Sequence, residues 1–294
     1  FRKGWHRMSL EQAAVRERVE WLGDERNLVA IVSEPPLPQP VPRILVLNAG
    51  VLHRVGPHRL HVRLARRLAA MGYVVARMDL SGIGDSRALP GRMTFRESSV
   101  ADIRTALDTL AAGEPRAKFF LFGICSGADN ALAAAEADAR IAGLILVDPP
   151  AYASRQARLR HLARKAKGAG NAWSLPARAV RSALRRAGIG GHASPGHADG
   201  EAPVGGREMP PIDRYGSQLE TLAARGVRIL AIYSGVLGQR YNHEGQLFEW
   251  FPGLQGKIDC AYFPEANHTF TELSSQETLE ALVLRWCREN SAAV

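Results

Sequence analysis

Apolar and polar positions fall into alternating blocks along most of the chain. Arg16–Leu22 and Asn27–Ser33 are short strand-like runs around Gly23-Asp24-Glu25-Arg26, which has the composition of a hairpin turn. After a proline cluster between Pro35 and Pro42, Arg43–Leu47 is a continuous apolar run of the kind buried on both faces. Pro57–Ala70 places Leu60, Leu64 and Leu68 on one helical stripe and stops at Gly72. The pairing then recurs. Tyr73–Met78 reads as a strand before a helix over Phe95–Ala112, with Val100, Ile103 and Leu107 inward. Lys118–Phe122 reads as a strand before an alanine-rich helix, and Ala142–Val147 as the next strand. Later come a helix over Ser217–Arg225, strands over Val227–Tyr233 and Ile258–Phe263, and a closing amphipathic helix over Ser274–Arg288. Such alternation predicts an α/β fold, a parallel sheet with helices on both faces.

Residues 151–212 interrupt the pattern. They read as a cap inserted over the carboxyl edge of the sheet, between core segments 1–150 and 213–294. No Asp or Glu occurs from Pro149 to Ala198, while Arg155, Arg158, Arg160, Arg164, Arg178, Arg181, Arg185 and Arg186 all fall there. Leu159 and Leu162, then Val180 and Leu184, give two modest apolar stripes, so two basic amphipathic helices are expected, the second starting near Ser174 and Pro176. Gly188–Gly206 carries seven glycines and two prolines and reads as a flexible loop. A net charge of +9 points to an anionic partner, and Arg155, Arg158, Arg181 and Arg185 are the expected contact residues. Tyr152 and Trp173 are the segment's only aromatics and no nucleic-acid motif is present, which argues against a nucleic-acid partner. No apolar run reaches the roughly 18 residues that a membrane span needs. Phe1–Arg7 lacks the apolar stretch of a signal peptide and reads as a loose tail before Met8. Cys125, Cys260 and Cys287 are odd in number, widely spaced and without zinc-ligand spacing. They fit a reducing cytoplasm better than a disulfide framework.

The chemistry concentrates at Gly123-Ile124-Cys125-Ser126-Gly127, where an apolar strand drives into a sharp turn and a helix. This is the pattern of a nucleophile elbow, with cysteine where serine usually stands. The residues two before and two after the nucleophile must be small, because the strained turn packs tightly. Centred on Cys125 they are Gly123 and Gly127; centred on Ser126 they would be Ile124 and Ala128, so the spacing selects Cys125. A nucleophile of this kind needs a base, an orienting acid and oxyanion donors. His268 follows the final strand and precedes the final helix, as a base should; His53 and His243 lie at earlier strand ends. The place just beyond the penultimate strand, Ser234-Gly235-Val236-Leu237-Gly238, holds no carboxylate. Two acids remain: Asp148, at the end of the strand beside the nucleophile strand and favoured, and Glu244. The amides of Ser126 and Val51 are the expected oxyanion donors, with Gly50 allowing close approach. Arg54 lies near that loop, within reach of an acidic group. Gly82-x-Gly84-x-Ser86 lacks the lysine and the spacing of a phosphate loop and reads as a structural turn. Nothing in the pattern calls for a metal or a cofactor.

Asn48-Ala49-Gly50, Asp79-Leu-Ser-Gly-Ile-Gly-Asp-Ser86, the Gly123-x-Cys125-x-Gly127 elbow and Asn267-His268-Thr269 together resemble the α/β-hydrolase superfamily, in its serine aminopeptidase S33-like group. The resemblance covers about residues 16–150 and 212–290. It implies an eight-stranded, mostly parallel sheet with a cap between strands six and seven. The chain departs from the family in its cysteine and in the missing acid after the seventh strand. Cysteine at the elbow is similar to dienelactone hydrolases and to carrier-protein acyltransferases, which hold an acyl group as a thioester. The expected activity is therefore acyl hydrolysis of an ester or thioester through acyl-Cys125. The alternatives are acyl transfer, with an acidic carrier protein on the basic cap, and a non-catalytic anion-binding module.

Overall fold

Most of the strand-forming runs are apolar at nearly every position, so both faces of the sheet must be covered. The computed structural model describes residues 15–37, 39–88, 91, 93–168, 207, 209–238 and 240–292. Its strands are β1 (Arg16–Leu22), β2 (Leu28–Glu34), β3 (Arg43–Val46), β4 (Val75–Met78), β5 (Phe119–Ile124), β6 (Ile141–Val147), β7 (Arg228–Ser234) and β8 (Asp259–Phe263). They form one eight-stranded sheet in the order β1-β2-β4-β3-β5-β6-β7-β8. β2 is antiparallel to β1 and β4, and every pairing from β4 across to β8 is parallel.

Alternate residues of each strand feed two separate cores. On one face Ile44, Val46, Phe120, Phe122, Ile145 and Ile232 pack against Leu60, Leu64 and Leu68 of α1 (Leu60–Ala70) and against Leu279, Val283 and Trp286 of the C-terminal helix Leu273–Ser291. On the other, Leu45, Leu121, Leu144 and Ala231 meet Ile103 and Leu107 of α2 (Phe95–Leu110), Ala128 and Ala131 of α3 (Ser126–Ala137), and Leu219 and Leu222 of helix Ile212–Ala224. The small alanines of α3 let it lie close on β5 and β6.

The cap departs from expectation. A helix does occupy Arg155–Gly168, and the Ser154 hydroxyl caps it by accepting from the Ala157 amide at 2.9 Å. Yet Leu159 and Leu162 are 59% and 62% exposed, and Ala157 is the residue fully buried. Polar contacts dock this helix instead: Arg160 donates to Asn242 Oδ1 at 3.0 Å and pairs with Glu249 at 2.8 Å. The second basic helix, the Gly188–Gly206 loop and the Phe1–Arg7 tail lie outside the described residues.

At the far edge, β1 pairs with β2 along all seven of its residues, and its side chains add charged contacts. Glu17 accepts from Ser33 at 3.0 Å, Arg66 at 2.6 Å and Arg77 at 3.0 Å, while Val19 and Trp21 stay exposed.

The ends of β3 and β4 are tied by Asp79, a fully buried carboxylate. It accepts from Asn48 Nδ2 at 2.9 Å, the Arg54 amide at 2.6 Å, the Asp85 amide at 3.2 Å and the Arg54 guanidinium. The acidic group within reach of Arg54 is thus the protein's own: Asp79, with Asp85 on its other arm at 2.6 Å. Gly84 has φ +56° and no room for a side chain, since a Cβ there would sit 2.2 Å from Asp79 Oδ2. The turn is structural, and it fixes the loop that carries Val51. Removing one partner of a buried pair leaves the other charge uncompensated. Asp79→Ala is therefore expected to lower stability in denaturant unfolding by about 3–5 kcal/mol, whereas Asp85→Ala, at the exposed arm, changes it little.

Candidate active site

β5 ends at Ile124 and α3 begins at Ser126, so Cys125 alone makes the turn, at φ 57° and ψ −118°. A residue with a Cβ adopts that conformation only where its surroundings impose it. Two close approaches do so. A Cβ on Gly123 would lie 2.3 Å from the Gly127 carbonyl, and one on Gly127 would lie 2.4 Å from the Asn48 oxygen. The backbone is pinned as well: Cys125 N donates to Val147 O at 2.9 Å, and Cys125 O accepts from Ala128 N at 2.9 Å.

The structure brings Cys125, His268 and Asp148 into one line. His268 interacts with the Cys125 thiol, and its Nδ1 donates to Asp148 Oδ2 at 2.7 Å. Asp148 is fully buried at the end of β6. Its other acceptor sites are filled by Ser234 of β7, whose amide donates to Oδ1 at 2.7 Å and whose hydroxyl donates to Oδ2 at 2.8 Å. Ser234 thus stands where the acid was sought and holds Asp148 from the next strand. Glu244 lies elsewhere; its carbonyl accepts from the Tyr241 hydroxyl at 2.9 Å and from Cys260. The loop that carries His268 is fixed by Asn267, whose side-chain oxygen accepts from the amides of Thr269 and Thr271. Gly235 fits against that loop because a Cβ there would meet the Pro264 oxygen.

The electrostatics favour a thiolate beside an imidazolium. Burial pushes the Cys125 thiol up, but the hydrogen bond to His268, the Arg207 charge and the Ser126 amide together bring it below its ordinary value. The bond to Asp148, then that to Cys125, lifts His268 to about 9. Cys260 is pushed up to about 12 by burial, and Cys287 is also raised by burial. Both are therefore protonated at neutral pH.

Of the expected oxyanion donors, the Ser126 amide heads α3, directly after Cys125. Val51 follows Gly50, whose φ of +61° turns the chain outward, and its side chain is 82% exposed. Arg155 and Arg158 are exposed on the cap helix; Arg181 and Arg185 lie outside the described residues. Sequence reasoning missed Arg207 and Asp129. Asp129 lies one helical turn beyond Cys125, on the same side of α3. It receives Arg207 Nε and Nη2, both at 2.5 Å. The third arm, Nη1, donates to the Asp148 backbone oxygen at 2.8 Å and lies 4.0 Å from Cys125 Sγ. The spacing of Asp129 was a usable signal; nothing in sequence marked Arg207.

Among the described residues, His53, Asp79 and Asp85 bring three possible metal-ligand atoms within 4.8 Å of one another. Arg54 already bridges both carboxylates, so the residues do not fit a cation.

A family model described as serine aminopeptidase, S33, matches residues 46–186, which include the elbow and Asp148. The chain has the α/β-hydrolase fold, and over residues 46–186 it is similar to that family. Solved structures share the hydrolase fold at low identity. A Xanthomonas campestris α/β serine hydrolase described as having no lid is 16% identical over 95% of this chain and 96% of its own, with a TM-score of 0.51. A Pyrococcus furiosus esterase is 12% identical over 95% and 94%, with a TM-score of 0.54. A thioesterase domain from the curacin biosynthetic pathway is 20% identical over 92% and 99%, with a TM-score of 0.52. No curated protein matches this chain in sequence. No helix among its described residues is long and apolar enough to cross a membrane.

The charge pattern sets the pH response of this site. Cys125 is lowered and His268 is raised to about 9, so both shifts run toward a thiolate–imidazolium pair. The stability that charged His268 draws, chiefly from its bond to Asp148, is full below 6.5, the ordinary imidazole value, and is lost as pH rises through about 9. Alkylation by iodoacetamide, followed by intact mass, should modify Cys125 well below the pH at which a free cysteine reacts. Asp148→Asn lowers His268 and should move that profile upward; Glu244→Gln should leave it in place. The reverse ranking would assign the acid to Glu244.

Proposed function

We propose that the protein is an acyl hydrolase acting on esters or thioesters through an acyl-Cys125 intermediate. The observation that carries this reading is the thiol–imidazole–carboxylate line at a strained elbow, with charges that favour a resting thiolate. The Cys125 sulfur attacks the acyl carbon and the C–S bond forms. The carbonyl oxygen takes up the negative charge facing the Ser126 and Val51 amides. His268 gives its proton to the departing alcohol or thiol as that bond breaks. In the second half His268 takes a proton from water, whose oxygen attacks the thioester carbon. The C–S bond then breaks, releasing the acid and restoring the thiolate beside the imidazolium. Asp148 keeps the ring oriented throughout and stabilises its charged form.

Cys125→Ala should lower turnover of an activated short-chain ester by at least about a thousandfold and abolish acyl-adduct formation in intact mass, while Ser126→Ala keeps the adduct. Labelling that persists in Cys125→Ala would overturn the assignment.

A second reading, transfer of the acyl group from Cys125 to another carrier thiol or an amine, draws support from the exposed Arg155 and Arg158 on helix Arg155–Gly168. Acidic carrier domains would be steered to them. Arg155→Glu with Arg158→Glu should then raise KM several-fold for a carrier-bound acyl thioester and leave a small ester unaffected. Equal kinetics on both substrates would remove the carrier from the account.

A further inference from the structure

Arg207 is the one guanidinium placed against the Cys125 sulfur among the described residues. All three of its arms are engaged: two by Asp129, and the third by the Asp148 carbonyl and Sγ together. Asp129 and Arg207 are both mostly buried, so the pair is shielded from salt and solvent. Among the described residues these contacts account for four of the five N–H donors of Arg207 and leave one on Nη2. Its one variable contact is with the sulfur, whose charge changes during the reaction.

That contact is unequal between the two forms of the site. In the resting form Sγ is anionic and the guanidinium faces a full opposite charge. In the acyl-enzyme Sγ is a neutral thioester sulfur, and Arg207 loses its partner there. A fixed cation therefore favours the resting thiolate over the acyl-enzyme, and it favours any transition state in which the C–S bond breaks and negative charge returns to sulfur. His268 acts in the same direction when protonated, but in deacylation it has to serve first as a base, with its proton still to be taken from water. Arg207 cannot lose its proton, so its charge is present at every step.

We propose that Arg207, clamped by Asp129, is a catalytic residue that holds Cys125 ionised at rest and speeds its departure from the acyl-enzyme. The acyl group is thereby passed on quickly rather than stored on the protein. The inference rests on the cysteine-nucleophile reading above and adds a residue that the resemblance does not supply. In the step concerned, water adds to the thioester carbon and gives its proton to His268. The tetrahedral carbon then expels Sγ, and the electron pair of the C–S bond settles on sulfur facing Arg207.

The test is Arg207→Gln in the full chain, read in two ways. In the first, iodoacetamide alkylation of Cys125 is followed against pH; the expected profile moves up by about one unit, which is about tenfold less thiolate at mildly acidic pH. In the second, the intact mass of protein mixed with an activated short-chain ester is followed in time. The acyl adduct should persist about tenfold longer than in the unaltered protein, because the leaving sulfur has lost its counter-charge. A role in packing alone would lower stability and adduct yield without moving the pH profile or lengthening the adduct's life. Should Arg207→Gln fail to fold, Arg207→Lys replaces it. A lysine cannot span Asp129, the Asp148 carbonyl and sulfur at once, so a smaller shift in the same direction is expected. An unmoved profile, or an adduct no longer-lived than before, overturns the proposal. The cysteine reading fails separately, if Cys125→Ala still turns the ester over.

Discussion

Asp148 is a carboxylate with no exposure to water, placed where β6 leaves the sheet. A buried charge is tolerated only where donors meet it on every side. Ser234 supplies two and His268 the third, so the ring cannot turn without leaving the carboxylate short of a partner. The main-chain oxygen of the same residue receives Arg207. One residue at one strand end therefore fixes both cations that face the sulfur, one through its side chain and one through its backbone. The parallel sheet makes this possible, because β5, β6, β7 and β8 all release their chains at the same edge.

How much of this could be read from the chain depended on whether the signal was local. Gly123 and Gly127 are local: each sits within a side chain's reach of another backbone, and no other residue type would fit. His268 was legible by chain order alone. Asp148 could be named only as one of two acids, because what separates it from Glu244 is the strand order, which no stretch of sequence displays. Arg207 was out of reach altogether, since its role depends on returning from the cap to a helix that precedes it by some 80 positions. The cap helix was misread for a related reason. Leu159 and Leu162 have helical spacing, but the bonds of Arg160 to Asn242 and Glu249 orient the helix and leave those leucines in water. A specific polar network outweighed a two-residue stripe.

Cysteine in place of serine changes what the surrounding groups have to do. A serine hydroxyl keeps its proton until the moment of attack, so its base must act during the reaction. A thiol ionises close to neutral pH, and here the surroundings lower it further. In the proposed reaction the difficulty moves to the second half, where the sulfur must leave.

The charged fastening of β1 has a consequence for the opposite side of the molecule. Glu17 is held below its ordinary value because the bonds from Arg66 and Ser33 outweigh its partial burial. This strand's grip on the sheet weakens as pH falls through that lowered value and as ionic strength rises. Its neighbour β2 is buried along almost its whole length, and β1 covers its outer hydrogen-bonding edge. Fraying of the outer strand would lay bare an apolar ladder ready to pair with another chain. Loss of solubility in acid would then begin at the sheet margin farthest from β8, as early amide exchange in β1 while the catalytic edge was still protected.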